Sequence, residues 1–342
     1  EPKHGGGMSR KTAVAALALL LALVPAGCSN DRDALTIYSG RTQNLIGPLL
    51  EKFNKDTGIA IDVKYGDSAE LALLLDEEGD RTPADVFLSQ SPGATGFLAG
   101  KGRLGQLEAA VVDKVGPRFR NADGRWVGIS GRQRVLVYNS EEVTEAELPG
   151  SVMDLTDDRF AGKVAIAPSN GSFQDFVTAM RQLEGEAATK AWLEDMVANK
   201  PRTYANNNAI VEAVSRGEVE MGLVNHYYNY RFQQESPGTP SRNHHFAGDD
   251  VGSLVIPSTA SVLAGTDKTE EASRFVSFLL TEESQRYFSD QTFEYPLVTG
   301  VPAAPGLPPL ASLRSPDYDV DALGGGLQRT VELIRASGFN GV

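Results

Sequence analysis

Two α/β lobes, each a mostly parallel sheet flanked by helices, are the fold class this sequence predicts, and three features predict it. Strand-like and helix-like segments alternate along most of the chain, the pattern of sheets covered by helices. The 314 residues that follow Cys28 exceed what one hydrophobic core usually serves, so two lobes are expected. Finally, apolar strands run straight into Gly-, Ser- or Asn-bearing sequence and then a helix. Open α/β sheets bind their ligands at those carboxyl ends.

The elements follow in order. LTIYSG (35–40) reads as a strand, 43–55 as an amphipathic helix, and GIAIDVKYG (58–66) as a second strand. A helix over 68–78, the short strand ADVFLS (84–89) and a helix opening at SPGA complete a βαβαβ unit. GRQRVLVYN (131–139) predicts a long strand crossing between lobes. The second set comprises GKVAIAPSNGS (162–172), helical sequence over 173–198, a helix over 208–216, and the strand VEMGLVN (219–225). SLVIPSTASVLAG (253–265) reads as a return strand, followed by one long helix over 269–288. The Gly- and Pro-rich stretch 300–326 reads as loop, with GGG at 324–326 as a flexible joint, before a last helix over 327–336.

Residues 8–28, MSRKTAVAALALLLALVPAGC, have a basic start, an apolar stretch from Ala13 to Ala26 and small residues leading to Cys28, the pattern of a secretory signal. Fourteen apolar residues are short for a membrane-spanning helix. The only cysteine of the chain stands where a lipoprotein signal places its acylated residue, so Cys28 is the expected lipid attachment point. Residues 1–7 read as an upstream extension. Beyond Cys28 no thiolate metal site and no disulfide is possible. Without residues 1–28 the chain holds 29 basic and 44 acidic residues, a net charge of −15. Such a surface argues against nucleic acid, and leaves the lipid as the only expected tie to a membrane.

Neither a P-loop nor HExxH nor GxSxG is present. Of four histidines only His226 adjoins a candidate site, since His244 and His245 read as loop residues. That site is NHYYNYR (225–231). VEMGLVN ends at Asn225, which puts Tyr227 and Tyr228 at the carboxyl edge of a strand, in the turn opening the next helix. Tyrosines are ordinarily amphipathic core edges, and Tyr38, Tyr138 and Tyr230 are read that way. Two phenols converging in a turn can do more. A phenol with a pKa near 10 ionises at neutral pH only against a strong positive partner, and hard Fe3+ matches oxygen donors. PSNGS (168–172), Asn207 with Asn208, and Asn225 each lie where a strand or loop meets a helix, positions that serve equally as caps or as anion donors.

From Leu35 to Pro296 the chain resembles the ferric-iron-binding periplasmic proteins, the solute receptors of iron ABC importers, a two-lobed (class II type) periplasmic-binding fold. LTIYSGR, GDRTPADVFLSQ, SGRQRVLVYN, APSNGSFQ, TYANNNAIVEAV, GEVEMGLVNHYYNYRF and FEYPL carry the resemblance, in the family's order. It implies lobes of 31–132 with 257–305 and 133–256 with 306–342, the ligand in the cleft between them, and closure by hinge bending. It implies Tyr227 and Tyr228 as ferric ligands, and Asn170, Gly171, Ser172, Asn207 and Asn225 as donors to an accompanying carbonate, phosphate or citrate-like anion. It also implies a monomeric receptor outside the cytoplasm, handing iron to the permease subunits of an importer and performing no covalent chemistry.

Two departures matter. Where some members supply a histidine and a glutamate this chain has Thr42 and Gln90, and where others add a third tyrosine it has Phe173. Arg41 is the expected neutralising partner of the anion from the first lobe, with a surface salt bridge as its other reading. Two further functions stay open on the residues alone. One is a receptor of the same fold for phosphorylated or other anionic small molecules without metal. The other is a lipid-anchored hydrolase, for which no nucleophile and base pair is visible.

Overall fold

The computed structural model describes residues 34–339; the signal-like segment and Cys28 lie outside them. The chain begins with β1 (Leu35–Ser39) and α1 (Gln43–Thr57), which ends where Gly58 takes a left-handed φ of 73°. β2 (Ile61–Tyr65) leads to α2 (Ser68–Glu78), whose first N–H groups at Ala69 and Glu70 are capped by the Asp67 carboxylate. β3 (Val86–Ser89) enters α3 (Pro92–Gly100), with Ser91 as its cap and Pro92 in the first turn, where a missing N–H removes no bond. A short α4 (Ala109–Val112) precedes β4 (Val127–Asn139), thirteen residues buried throughout.

The second half continues with β5 (Val164–Ile166), α5 (Gly171–Leu183) and α6 (Glu186–Ala198). Then come β6 (Arg202–Thr203), α7 (Asn207–Ser215), β7 (Met221–Asn225), α8 (His226–Glu235) and β8 (Ser241–His244). The return strand β9 (Val255–Val262) is followed by α9 (Thr269–Leu279) and α10 (Glu282–Thr292), and α11 (Leu323–Ala336) closes the described chain.

The strands join in the order β2-β1-β3-β9-β4-β7-β5-β6, with β8 also on β4. The outer pairs β1 with β2 and β3, and β5 with β6 and β7, are parallel; those made by β9 and β4 are antiparallel. β4 is the seam. Its residues up to Gln133 pair with β9, and from Arg134 onward it pairs with β7, then β8. Separate apolar clusters lie on either side: Ile37, Phe53, Val86 and Phe275 in one, Phe176, Trp192, Met221 and Leu223 in the other. A one-residue slip of β4 would turn every side chain in it to the opposite face, so its register is strongly specified.

Three sequence expectations need correction. The helix expected over 269–288 is two, because the Thr281 hydroxyl accepts from Ser284 N–H and starts a new helix at Glu282. The helical sequence over 173–198 is helical as expected, in two helices separated at Gly185, whose φ is 88°. His244 is not in a loop but ends β8, paired with Leu136. The glycines 324–326 are not a flexible joint either: they form the first turn of α11. A Cβ on Gly324 would lie 2.3 Å from the Gly96 carbonyl carbon and the Phe97 nitrogen, and one on Gly326 would lie 2.7 Å from a Thr178 methyl. Gly324 is there because α11 crosses α3 at backbone contact, and Gly326 because side chains of α5 lie beside it.

That close crossing has a measurable consequence. Gly324→Ala should lower stability by about 1–3 kcal/mol through overpacking, despite the gain in helix propensity. Gly325 has nothing within 4 Å of its Cβ position, so Gly325→Ala should be neutral or stabilising by about 0.5–1 kcal/mol. Denaturant midpoints of the two variants check it; equal effects would point to a flexible joint.

Candidate metal and anion site

The tyrosines are set by β7 and α8. Helix α8 starts at His226, so Tyr227 and Tyr228 occupy its first turn and not a separate turn before it. Consecutive helical residues point about 100° apart, yet these two rings stack at 4.2 Å between centroids with 28° between planes. Tyr227 is wholly buried and its hydroxyl has no hydrogen-bond partner. Burial, then the neighbouring Tyr228 phenol, raise its pKa well above the ordinary value. Tyr228 is partly buried and lines a cavity of about 340 Å³. Tyr230 turns away and stacks on Phe293 at 5.8 Å, as packing.

The cavity draws its walls from both half-sheets. Ser68 and Gln90 come from the first, Asn170, Gly171 and Ser172 from the second, and Arg132 from the seam strand. Asn170 caps α5, its oxygen accepting from Ser172 N–H at 3.1 Å and from the Ser172 hydroxyl at 2.6 Å. The Asn207 amide donates to Asn170 Oδ1 at 3.2 Å and to Ser172 Oγ at 3.3 Å. Asn225 stands at the cap position of α8 but makes no cap bond. Its oxygen instead accepts from Arg134 Nη1 at 3.0 Å, across the β4–β7 register, while its Nδ2 has no partner. Four of the five predicted anion residues thus form one network around Arg134, and Gly171 lines the cavity beside them.

Arg132 and Arg134 are the residues that sequence reasoning missed. The signal was available: in GRQRVLVYN they are two apart on a strand and share a face. Both are at most 2% exposed. Their hydrogen bonds go to neutral oxygens: Arg132 to the carbonyls of Gln90 and Pro257, Arg134 to Ser172 Oγ and Asn225 Oδ1. Arg132 Nε, and Arg134 Nε and Nη2, have no partner. Burial, then the like charge of Arg132, lower the Arg134 pKa to about 9. Unpaired buried donors on positive groups are costly unless something meets them.

The remaining predicted residues lie elsewhere. Arg41 is neither at the surface nor on the cavity wall. It is fully buried against an equally buried Glu294, with contacts of 3.0 and 2.6 Å, and also donates to Ser258 Oγ at 2.9 Å. Burial opposes its charge, but Glu294 holds its pKa above the ordinary value. Its charge is therefore already balanced, and an ionised Tyr227 nearby would favour it further. Thr42 is exposed at the start of α1 and bonded to Asn44. Gln90 faces the cavity with its Nε2 unpartnered. Phe173 packs on Phe176 in the core. A larger groove of about 900 Å³ lies elsewhere, but its arginines are committed: Arg118 to Ser315 and Pro316, Arg120 to Asp113, Arg125 to Leu104.

His226 is a brace. Its Nδ1 accepts from Gln133 N–H at 3.0 Å and its Nε2–H donates to the Phe293 carbonyl at 2.7 Å, while the ring stacks on Tyr295 at 4.7 Å. Both nitrogens are used, which leaves none for a metal. Burial lowers its pKa to about 3. Because the folded pKa is depressed below the unfolded value near 6.5, the stability from a neutral His226 is present above pH 6.5 and is lost as pH falls toward 3, about 1.4 kcal/mol per pH unit. Thermal midpoints measured from pH 7 to pH 5 should therefore fall less for His226→Asn than for the unaltered chain.

The site so described can be set beside known proteins. Residues 81–320 match the model of the bacterial extracellular solute-binding proteins. The chain is 33% identical to the Fe(3+)-binding periplasmic protein of Serratia marcescens over 331 residues, 96% of each chain. It superposes on iron-bound HitA from Pseudomonas aeruginosa with a TM-score of 0.86 and 36% identity, covering 90% of this chain and 99% of that one. A Trichodesmium protein (IdiA, FutA) in complex with iron and citrate gives 0.79 and 27%, covering 90% and 100%. The chain belongs to the family of bacterial extracellular solute-binding proteins, and its relatives there are ferric-iron-binding periplasmic proteins.

Proposed function

We propose that this protein is an extracytoplasmic receptor that captures Fe3+ together with an anion and passes it to the permease of an ABC importer. The observation that carries the reading is the stacked Tyr227–Tyr228 pair beside two buried guanidiniums with unpartnered donors. The Tyr227 phenol resists ionisation by burial, so it selects a cation strong enough to displace its proton. A trivalent ion, two phenolates and two guanidiniums leave about three uncompensated positive charges, which calls for a multiply charged anion such as carbonate, phosphate or citrate. Asn170, Gly171, Ser172, Asn207 and Asn225 hold that anion with Arg132 and Arg134; Arg41 acts from behind as a fixed charge pair. Gln90 and the anion complete the coordination that Thr42 and Phe173 do not supply. The lobes divide as 31–132 with 257–305 and 133–256 with 306–342, and Cys28 carries a lipid that holds the receptor, a monomer, at the outer face of the cell membrane.

Ferric citrate added to the metal-free protein should produce a visible phenolate-to-iron charge-transfer band, absent in the Tyr227→Phe, Tyr228→Phe double variant. A colourless protein that binds inorganic phosphate tightly without metal, measured by calorimetry, would instead indicate a receptor for anionic small molecules. For the anchor, protein made in a lipoprotein-processing host should partition into detergent, and Cys28→Ala should move it to the aqueous phase; unchanged partitioning would sink the lipid assignment.

A further inference from the structure

One buried acid is left unused by the site. Asp175, on α5 of the second half-sheet, is 1% exposed, and its Oδ1 accepts from the Ser91 hydroxyl at 2.9 Å. Ser91 belongs to the first half-sheet: it follows β3 and caps α3, accepting from Ala94 N–H at 3.3 Å. The Gly93 backbone lies against the same oxygen, since a Cβ on Gly93 would lie 2.7 Å from Asp175 Oδ1. The carboxyl group is thus seated on the first turn of a helix from the other half of the molecule; burial raises its pKa to about 7, and the peptide dipoles there offset only part of that effect. Ser91 is also a wall of the cavity that Tyr228 lines.

We infer that Asp175 is a positioning residue that latches the two lobes over the bound ion by docking on the N-terminus of α3. This rests on the ferric-receptor reading for its cargo, though not for the contact itself. Ser91 and Gly93 meet Asp175 where α3 and α5 come together, and in the proposed latch this contact forms on closure and breaks on opening. The chemistry explains two residue choices at once. Gly93 has no side chain because one would push the carboxylate away, and Ser91 is a cap that also has a hydrogen to donate outward. Asp175 Oδ2 has no partner, so the Asp175 part of the junction runs through Oδ1 alone, beside the close approach of α11 to α3.

The test uses the mature chain, which contains no cysteine beyond Cys28 and so accepts a clean pair of labels at Glu77→Cys on α2 and Ala187→Cys on α6, both exposed. Single-molecule energy transfer between them reports lobe separation with and without ferric citrate, and loss of the charge-transfer band to excess chelator reports iron release. Asp175→Ala and Gly93→Ala should keep the band, shift the label distance toward the open population and speed release about tenfold. Asp175→Asn, which keeps a neutral acceptor, should restore most of the closed population. Unchanged distance and release in both Ala variants would overturn the latch. If Asp175→Ala does not fold, Gly93→Ala decides alone. A protein that shows no band but whose lobe distance still depends on Asp175 would refute the ferric reading and leave the latch standing.

Discussion

The whole arrangement hangs on the backbone of one strand. β4 is buried over all thirteen residues, so every N–H and C=O along it has to be bonded. It meets that demand by pairing with β9 up to Gln133 and with β7 and β8 from Arg134. Both half-sheets are therefore registered to a single rod, and the side chains at the change of partner are held where the halves meet. Arg132, Gln133 and Arg134 are those side chains. Gln133 N–H fixes His226, His226 precedes the tyrosine pair, and Arg134 grips Asn225 at the end of the next strand.

Around that seam several buried polar atoms go without partners, as do Arg181 Nε, Asn243 Oδ1 and Tyr295 Oη elsewhere. Buried polar atoms normally have partners, but Arg132, Arg134, Asn225, Gln90 and Tyr227 each leave one or more without. The Arg41–Glu294 pair differs in its charge, which is met by a carboxylate and by serine hydroxyls, although Arg41 Nε also has no partner. Removing one partner from such a pair typically costs about 3–5 kcal/mol.

Much of this was legible in the chain. The alternation of strands and helices, the position of Tyr227 and Tyr228 at a strand's carboxyl end, and the Asn- and Ser-bearing helix starts all rest on local periodicity and capping chemistry. Asn170 does cap its helix and still lines the cavity, so the two readings of that residue were never exclusive. What misled was punctuation. Glycine normally signals flexibility, yet Gly324 is small because another backbone passes beside it, and nothing within ten residues of it announces that neighbour. Arg41 was read as a partner for a ligand because its true partner, Glu294, lies 253 residues away.

The sequence by itself determined the elements, the absence of thiol chemistry beyond Cys28, the acidic surface and the pair of phenols, since each depends on residue type and short-range order. Only the tertiary structure decided which charges are spent and which remain. Arg41 is balanced, Arg132 and Arg134 are not, and Asp175 reaches across to Ser91, because the worth of a charge depends on what lies within a few ångströms. That proximity is set by the packing of segments far apart in the chain, which no local pattern encodes.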